Sequence, residues 1–333
     1  MPETLVGRTF RVRWKQVLLL LAAIPVSTLC AQTTGSALRT NNSVLEGASP
    51  ENEPVTTIRA TVQEVNLVFT ATDRRGRFKK NLVASDFAIL DDGKPPAAVR
   101  SFRSETDLPI RAGLVLDVSG SITSRFSFEQ EAAIKFFNDV VRPKTDEAFV
   151  VAFDSVPTLT QDFTDKPELL AKGVTALKPG GGSAVFDAIY FAVNKKLGKR
   201  DEDKSVRRLI ILISDGEDNQ SSVTREQVLE MARRAEVTIY AISSNTSNTT
   251  TRGDKLMAKL AEETGGRAFF PLNIGDVAHA FDTIQEELRS QYALSYRPAD
   301  FTPDGRYRRI QISTPRDKAV LVRARKGYLA STN

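Results

Sequence analysis

The chain has 333 residues, 41% hydrophobic and 26% charged, a composition that admits two or three domains and excludes a disordered or collagen-like chain. Its formal charge of +5 owes much to residues 1–31, where Arg8, Arg11, Arg13 and Lys15 stand against Glu3; the remainder carries 42 basic and 40 acidic residues, so a basic nucleic-acid-binding body is not indicated. With one cysteine, Cys30, and one histidine, His279, the chain can build neither an intrachain disulfide nor a Cys/His zinc site.

Basic residues through Lys15 precede an apolar run from Val17 to Leu29 and then Cys30-Ala31-Gln32, the charged, apolar and small order of a secretory signal peptide over residues 1–31. The run is shorter than the ~20 residues that cross a bilayer, and Pro25 interrupts it. A cleaved leader, with a mature chain that is secreted or periplasmic and has no permanent membrane span, is the expectation. Residues 32–54 are rich in Ser, Thr, Asn, Gly, Pro and Glu and are read as a disordered linker, because such a segment buries too little surface to offset its ordering entropy.

From Ile58 to Thr72 apolar residues alternate (Val65, Leu67, Phe69, Ala71), and Asp73-Arg-Arg-Gly76 makes a turn. Phe87 to Leu90 and Val99 to Arg103 continue the strand pattern, giving the N-terminal part of a β module over residues 55–108. The period changes at Ile110. Short apolar runs at 114–116, 149–153, 209–213 and 238–242 alternate with amphipathic stretches at 128–141, 166–177, 184–197, 224–235, 255–264 and 274–290. Strands apolar throughout, alternating with helices, predict a doubly wound, mostly parallel α/β sheet covered on both faces over residues 109–290. Strand patterning returns at 292–296, 307–313 and 319–324. Neither terminal set of strands suffices alone, so residues 55–108 and 291–328 are expected to form one β-sandwich-like module with the α/β domain inserted in it. The charged run from Lys195 to Arg208 is read as a solvated loop.

Three loops at predicted strand ends or helix starts carry oxygen-bearing side chains: Asp117-Val-Ser119-Gly-Ser121, Pro179-Gly-Gly-Gly-Ser183, and Ser214-Asp215-Gly216-Glu217-Asp218. In an open α/β sheet the carboxyl ends of the strands form the ligand crevice, so these loops can converge. Two carboxylates, Asp117 and Asp215, with three hydroxyls, Ser119, Ser121 and Ser183, offer hard donors suited to Mg²⁺, Mn²⁺ or Ca²⁺. Neutral hydroxyls fill coordination positions without cancelling the ion's charge, which leaves it able to take an outside carboxylate or phosphate. Asp187, one helical turn past Ser183, is read as structural, since a carboxylate early in a helix is favoured by the dipole. Glu217 and Asp218 are read as solvated, and His279 as structural or surface.

Asp117-x-Ser119-x-Ser121, Gly-Gly-Ser183 and Ser214-Asp215-Gly216 resemble the metal-ion-dependent adhesion site of von Willebrand factor type A domains, with Ser183 where that family usually shows threonine. The resemblance spans roughly residues 109–290, and the flanking pieces resemble exported bacterial proteins that carry such a domain between β segments. It implies direct metal contact from Ser119 and Ser121, Ser183 joining in a ligand-competent state, and Asp117 and Asp215 acting mainly through waters. It also implies that the last helix, 274–290, can shift with ligand. The function expected is an adhesion-type binding module that recognises an acidic group of a protein or envelope partner through the cation. The alternatives are a cation-dependent hydrolase and a structural envelope protein whose site no longer binds metal. No Ser-His-Asp order and no P-loop Lys-Ser/Thr supports an enzyme.

Overall fold

The computed structural model describes residues 64–104, 108–120, 126–198, 206–245 and 247–330. The leader, the linker, Cys30 and Ser121 lie outside the described residues.

The α/β region is built on a six-stranded sheet. Its strands are β4 (Ile110–Asp117), β5 (Glu147–Phe153), β6 (Pro157–Thr164), β7 (Arg207–Ser214), β8 (Val237–Ser243) and β9 (Ala268–Phe269), arranged β6-β5-β4-β7-β8-β9. All neighbours are parallel except β6, which runs antiparallel along β5 at one edge. In β4, β5, β7 and β8 nearly every side chain is buried, because both faces are covered. Leu114, Leu116, Ile211 and Ile213 face α1 (Phe126–Val140), α2 (Pro167–Thr175) and α6 (Ile274–Leu288). Val115, Val151, Ile210 and Leu212 face α3 (Val185–Phe191), α4 (Arg225–Arg234) and α5 (Arg252–Thr264). Residues Ala192–Leu197 continue α3 as a π-helical segment.

The chain leaves β4 toward one edge and later enters β7 on β4's other side, with α1 and α3 on opposite faces. The carboxyl ends of β4 and β7 therefore flank the topological switch point, where an open α/β sheet has its crevice.

The remaining strands form two smaller sheets. One has the order β12 (Leu321–Ala324), β1 (Val65–Thr72), β10 (Tyr292–Arg297), β3 (Ala98–Ser104); the other has β13 (Gly327–Leu329), β11 (Tyr307–Ser313), β2 (Ala88–Asp91). Each combines strands from before and after the α/β region, as the sequence predicts. The α/β region departs after β3 and returns into β10, and these two strands pair with each other, so the insertion closes on itself. Between the sheets, Phe69 and Phe102 stack on Tyr292 with centroids 5.7 and 5.5 Å away, and buried Asp91 accepts hydrogen bonds from Tyr296 Oη (3.0 Å) and Tyr328 Oη (2.9 Å). Burial and the adjacent Asp91 carboxylate push both phenols above their ordinary range, so they remain protonated donors.

The α/β region and the β module are also tied by polar contacts. Glu287, fully buried near the end of α6, accepts from Tyr240 Oη of β8 (2.8 Å) and pairs with Arg323 of β12. Arg207 corrects the reading of 195–208 as a solvated loop. It is 6% exposed, and its guanidinium donates to the Leu288 carbonyl at the end of α6, to Gln291 Oε1 (3.0 Å) and to the Leu108 carbonyl (3.3 Å). The orphan carbonyl of a helix end selects a cation there.

Candidate functional site

Asp117 is the last residue of β4, and it is fully buried. Its Oδ1 accepts the Ser119 N–H at 2.8 Å, and its Oδ2 accepts the Ser214 hydroxyl at 2.7 Å and the Ser183 hydroxyl at 3.3 Å. The β4–β7 register aligns Leu116 with Ile213, and this brings Ser214, the next residue of β7, beside Asp117. Ser214 is fully buried, and its Oγ also accepts the Gly216 N–H at 2.9 Å, which starts the loop carrying Asp215. Ser119 and Ser183 are only 5% and 4% exposed, so both residues are buried with Asp117.

The glycine-rich loop reaches this point through close backbone contacts. Gly181 adopts φ +92°, and a Cβ there would lie 2.8 Å from Asp154 Cβ and Oδ2, so only glycine passes. Ser183 is then gripped from both sides of its peptide: its N–H donates to Asn219 Oδ1 (3.1 Å), and its carbonyl accepts from the N–H groups of Asn219 (3.0 Å) and Gln220 (3.1 Å). On the far side, Gly216 has φ +75° and packs against Gly253 at the start of α5, with 2.5 Å between its would-be Cβ and the Gly253 carbonyl oxygen. Three separated loops are thereby locked around Asp117.

Burial dominates the electrostatics of the Asp117 carboxylate. Burial pushes the Asp117 carboxyl above its usual range, hydrogen bonds from Ser119 and Ser214 pull it back, and the neighbouring charge of Asp215 raises it further. A cation placed among these groups would relieve both the burial and the repulsion. Ser183 and Ser214 donate their protons to Asp117, which leaves oxygen lone pairs on each hydroxyl for an ion. The donor set of Asp117, Ser119, Ser183 and Asp215 is all oxygen, which fits a hard divalent cation. Among the described residues no group of three or more His, Cys, Asp or Glu is placed to hold a metal, so any ion here depends on the hydroxyls.

Of the five residues singled out from sequence, Asp117, Ser119 and Ser183 share a hydrogen-bonded cluster, Asp215 lies within electrostatic reach of it, and Ser121 is outside the described residues. Ser214, which the sequence offers only as part of a motif, donates its hydroxyl to Asp117 at 2.7 Å. The signal was its place one residue before Asp215, at the carboxyl end of an apolar run. Asp187 accepts from the backbone N–H groups of Ser222 (3.0 Å) and Val223 (2.9 Å), and so anchors a loop. Asp218 is engaged as well, with the Val185 N–H (3.0 Å) and the Ser221 hydroxyl (2.6 Å), which makes it a fixture of the start of α3 rather than a solvated acid. Glu217 and His279 are exposed.

Residues 113–217 match the family model described as von Willebrand factor type A domain. Among solved structures, the chain is similar to proximal thread matrix protein 1 from the mussel byssus with a zinc-occupied MIDAS motif, at 16% identity over 60% of this chain and 50% of that one, TM-score 0.48. It is also similar to a D319A mutant of the PilB minor pilin from Streptococcus sanguinis (13% identity, 56% and 62% covered, TM-score 0.45). A third is the vWF domain of the type V pili tip protein Mfa5 from Porphyromonas gingivalis (14% identity, 54% and 95% covered, TM-score 0.44). The chain thus spans about half the length of the mussel protein and under two thirds of the pilin. No curated protein sequence matches it.

Proposed function

Since the chain carries a von Willebrand factor type A domain, matched over residues 113–217, we propose that it is a binding module that engages an acidic group of a partner through a divalent cation held at the Asp117 cluster. The observation that carries this reading is the buried Asp117 carboxylate, hydrogen-bonded by the Ser119 N–H and by the Ser183 and Ser214 hydroxyls, with Asp215 beside it. Asp117, Ser119, Ser121, Ser183 and Asp215 would hold the ion, with Mg²⁺ the first choice and Mn²⁺ or Ca²⁺ next. The bound ion supplies a Lewis-acidic position for a carboxylate. The chain's own contribution is to keep that position charged: three of the five proposed ligands are neutral hydroxyls, so the ion's charge is only partly cancelled.

A cleft of about 850 Å³ opens beside the Asp215 loop, with Gly216 and Glu217 on one wall and Arg252 and Lys255 of α5 on another. With Arg225 and Lys259 the cleft carries four cations against the three acids Glu217, Asp218 and Glu226, a small excess of positive charge that suits an acidic ligand. A binding role is preferred to hydrolysis because the sequence carries no Ser-His-Asp order and no P-loop Lys-Ser/Thr, and its sole histidine, His279, stands exposed on α6. We read the basic and apolar residues 1–31 as an export signal and, on that reading, propose that the module works in the periplasm or outside the cell. Among the described residues no helix is long and apolar enough to cross a membrane.

Capture of partners from an envelope extract, with and without EDTA and with Ser119→Ala, tests the reading. Capture lost in both conditions supports it, whereas chelator-insensitive capture favours a structural envelope role. Turnover of phosphate esters or peptides that depends on Asp215 would instead move the protein to the hydrolases.

A further inference from the structure

At the opposite end of the sheet from Asp117 lies a cavity of about 340 Å³ between the α/β region and the β module. Its wall includes the first residues of β7 and β8, and β7 alone separates this end from Ser214 by roughly 23 Å at 3.3 Å per residue. The cavity is thus independent of the cation site.

Its lining is basic. Arg207 and Arg208 come from β7, Arg103 from β3, Arg233 from α4 and Arg325 from the turn after β12, against two acids, Glu236 and Glu263. These are held by guanidinium groups already fixed in place: Arg325 donates to Glu236 at 2.9 Å and to the Asn66 carbonyl at 2.7 Å, and Arg233 donates to Glu263 at 2.7 Å while stacking 4.4 Å from the Tyr307 ring centroid. Arg207 is fixed by its carbonyl contacts. Rigid guanidinium forks lose little entropy on binding a planar or tetrahedral oxyanion. Between the arginines, Val68, Leu209, Val237 and Leu288 give the same cavity apolar walls. The volume lies in the range of pockets that hold organic ligands. An inorganic anion would leave these walls unused.

We propose that this cavity is a second binding site, for a small organic oxyanion whose carboxylate or phosphoryl group meets the arginines and whose body lies on the apolar walls. Strands β1, β3 and β10 of the module contribute to it together with β7, β8, α4 and α5, so a bound ligand would cross-link the two parts of the protein.

The test uses the full chain in EDTA, at constant ionic strength, with paired probes: AMP and adenosine, glucose 6-phosphate and glucose, and citrate with inorganic phosphate as the headgroup control. Equilibrium binding is read by calorimetry and by the shift in thermal midpoint. At least one charged organic probe is expected to saturate a single site and raise the midpoint, its neutral partner to do neither, and inorganic phosphate to bind more weakly. The phosphate and citrate arms tell phosphoryl from carboxylate recognition. Arg103→Met, on an exposed side chain, and Arg325→Met, whose partner Glu236 is half-exposed, are each expected to weaken binding roughly tenfold, the scale of one charge-assisted contact, while Asp117→Ala leaves it unchanged. Failure of every charged probe to saturate, equal binding of the neutral partners, or unaltered affinity in both arginine variants would overturn the assignment.

Discussion

Asp117→Asn separates the cost of the buried carboxylate from its use. In the metal-free protein the Asp117 carboxyl is raised by burial and by Asp215, so over the pH range between its unfolded and folded pKa the native state binds more protons than the unfolded one. Stability of the metal-free protein should therefore fall as pH rises through that window, and Asn, which has no charge to lose, should flatten this part of the profile. A ligand at a hundredfold excess over its dissociation constant stabilises the fold by about 2.7 kcal/mol. For a domain of this size that raises the midpoint by roughly 5–10 °C. Wild type in saturating Mg²⁺ or Mn²⁺ should show this rise, and the Asn variant almost none, while its metal-free midpoint at neutral pH equals or exceeds that of the wild type. Differential scanning calorimetry with and without EDTA measures both. An Asn variant that still gains the full cation shift, or that loses several degrees in EDTA, would refute the assignment of Asp117 as a buried charge balanced by an ion.

Four further outcomes follow from the geometry. Gly181→Ala forces a Cβ against Asp154 at positive φ; it should cost about 1–3 kcal/mol by urea denaturation and weaken Mn²⁺ binding, and a neutral effect would mean the loop is not held as described. Ser183→Thr keeps the hydroxyl and restricts its rotamer, so cation affinity by calorimetry should rise a few-fold, and a fall would show that the added methyl collides. Tyr296→Phe removes a donor to buried Asp91 and should destabilise by about 1.5–3 kcal/mol, measurable in the same denaturation assay. Glu287→Gln leaves Arg323 without its buried charge partner and should cost about 2–3 kcal/mol; a stability unchanged by this variant would remove the proposed tie between α6 and β12.

The central strands β4, β5, β7 and β8 were legible because burial on both faces writes itself as an unbroken apolar run. Helices α4, α5 and α6 follow from apolar periodicity, and the capping pairs Thr224/Gln227, Thr251/Asp254 and Asn273/Asp276 fix their starts. For α5 the cap sets the start at Arg252, one turn earlier than periodicity indicates. Strand β6 was not foreseen. Its sequence, Pro157-Thr-Leu-Thr-Gln-Asp-Phe-Thr164, is an edge strand with no fully buried residue, so its pairing with β5 leaves little trace in composition. Strands β9 and β13, of two and three residues, are too short to carry a period. In the candidate site, the hydrogen-bonded group of Asp117, Ser119 and Ser183 is legible in part because each motif's spacing is local to its loop. The bond from Ser214 to Asp117 leaves no local signal because it depends on the register of β7 against β4, and Arg207 leaves none because only the packed end of α6 gives its charge a reason to be buried.

A crystal grown in Mn²⁺ and measured at the manganese edge tests the cation site without intermediaries. A single anomalous peak among Asp117, Ser119, Ser121, Ser183 and Asp215, with serine oxygens at roughly 2.0–2.4 Å, is the expected result. No peak there at saturating Mn²⁺, or one bound only by Glu217 and other exposed acids, would contradict it.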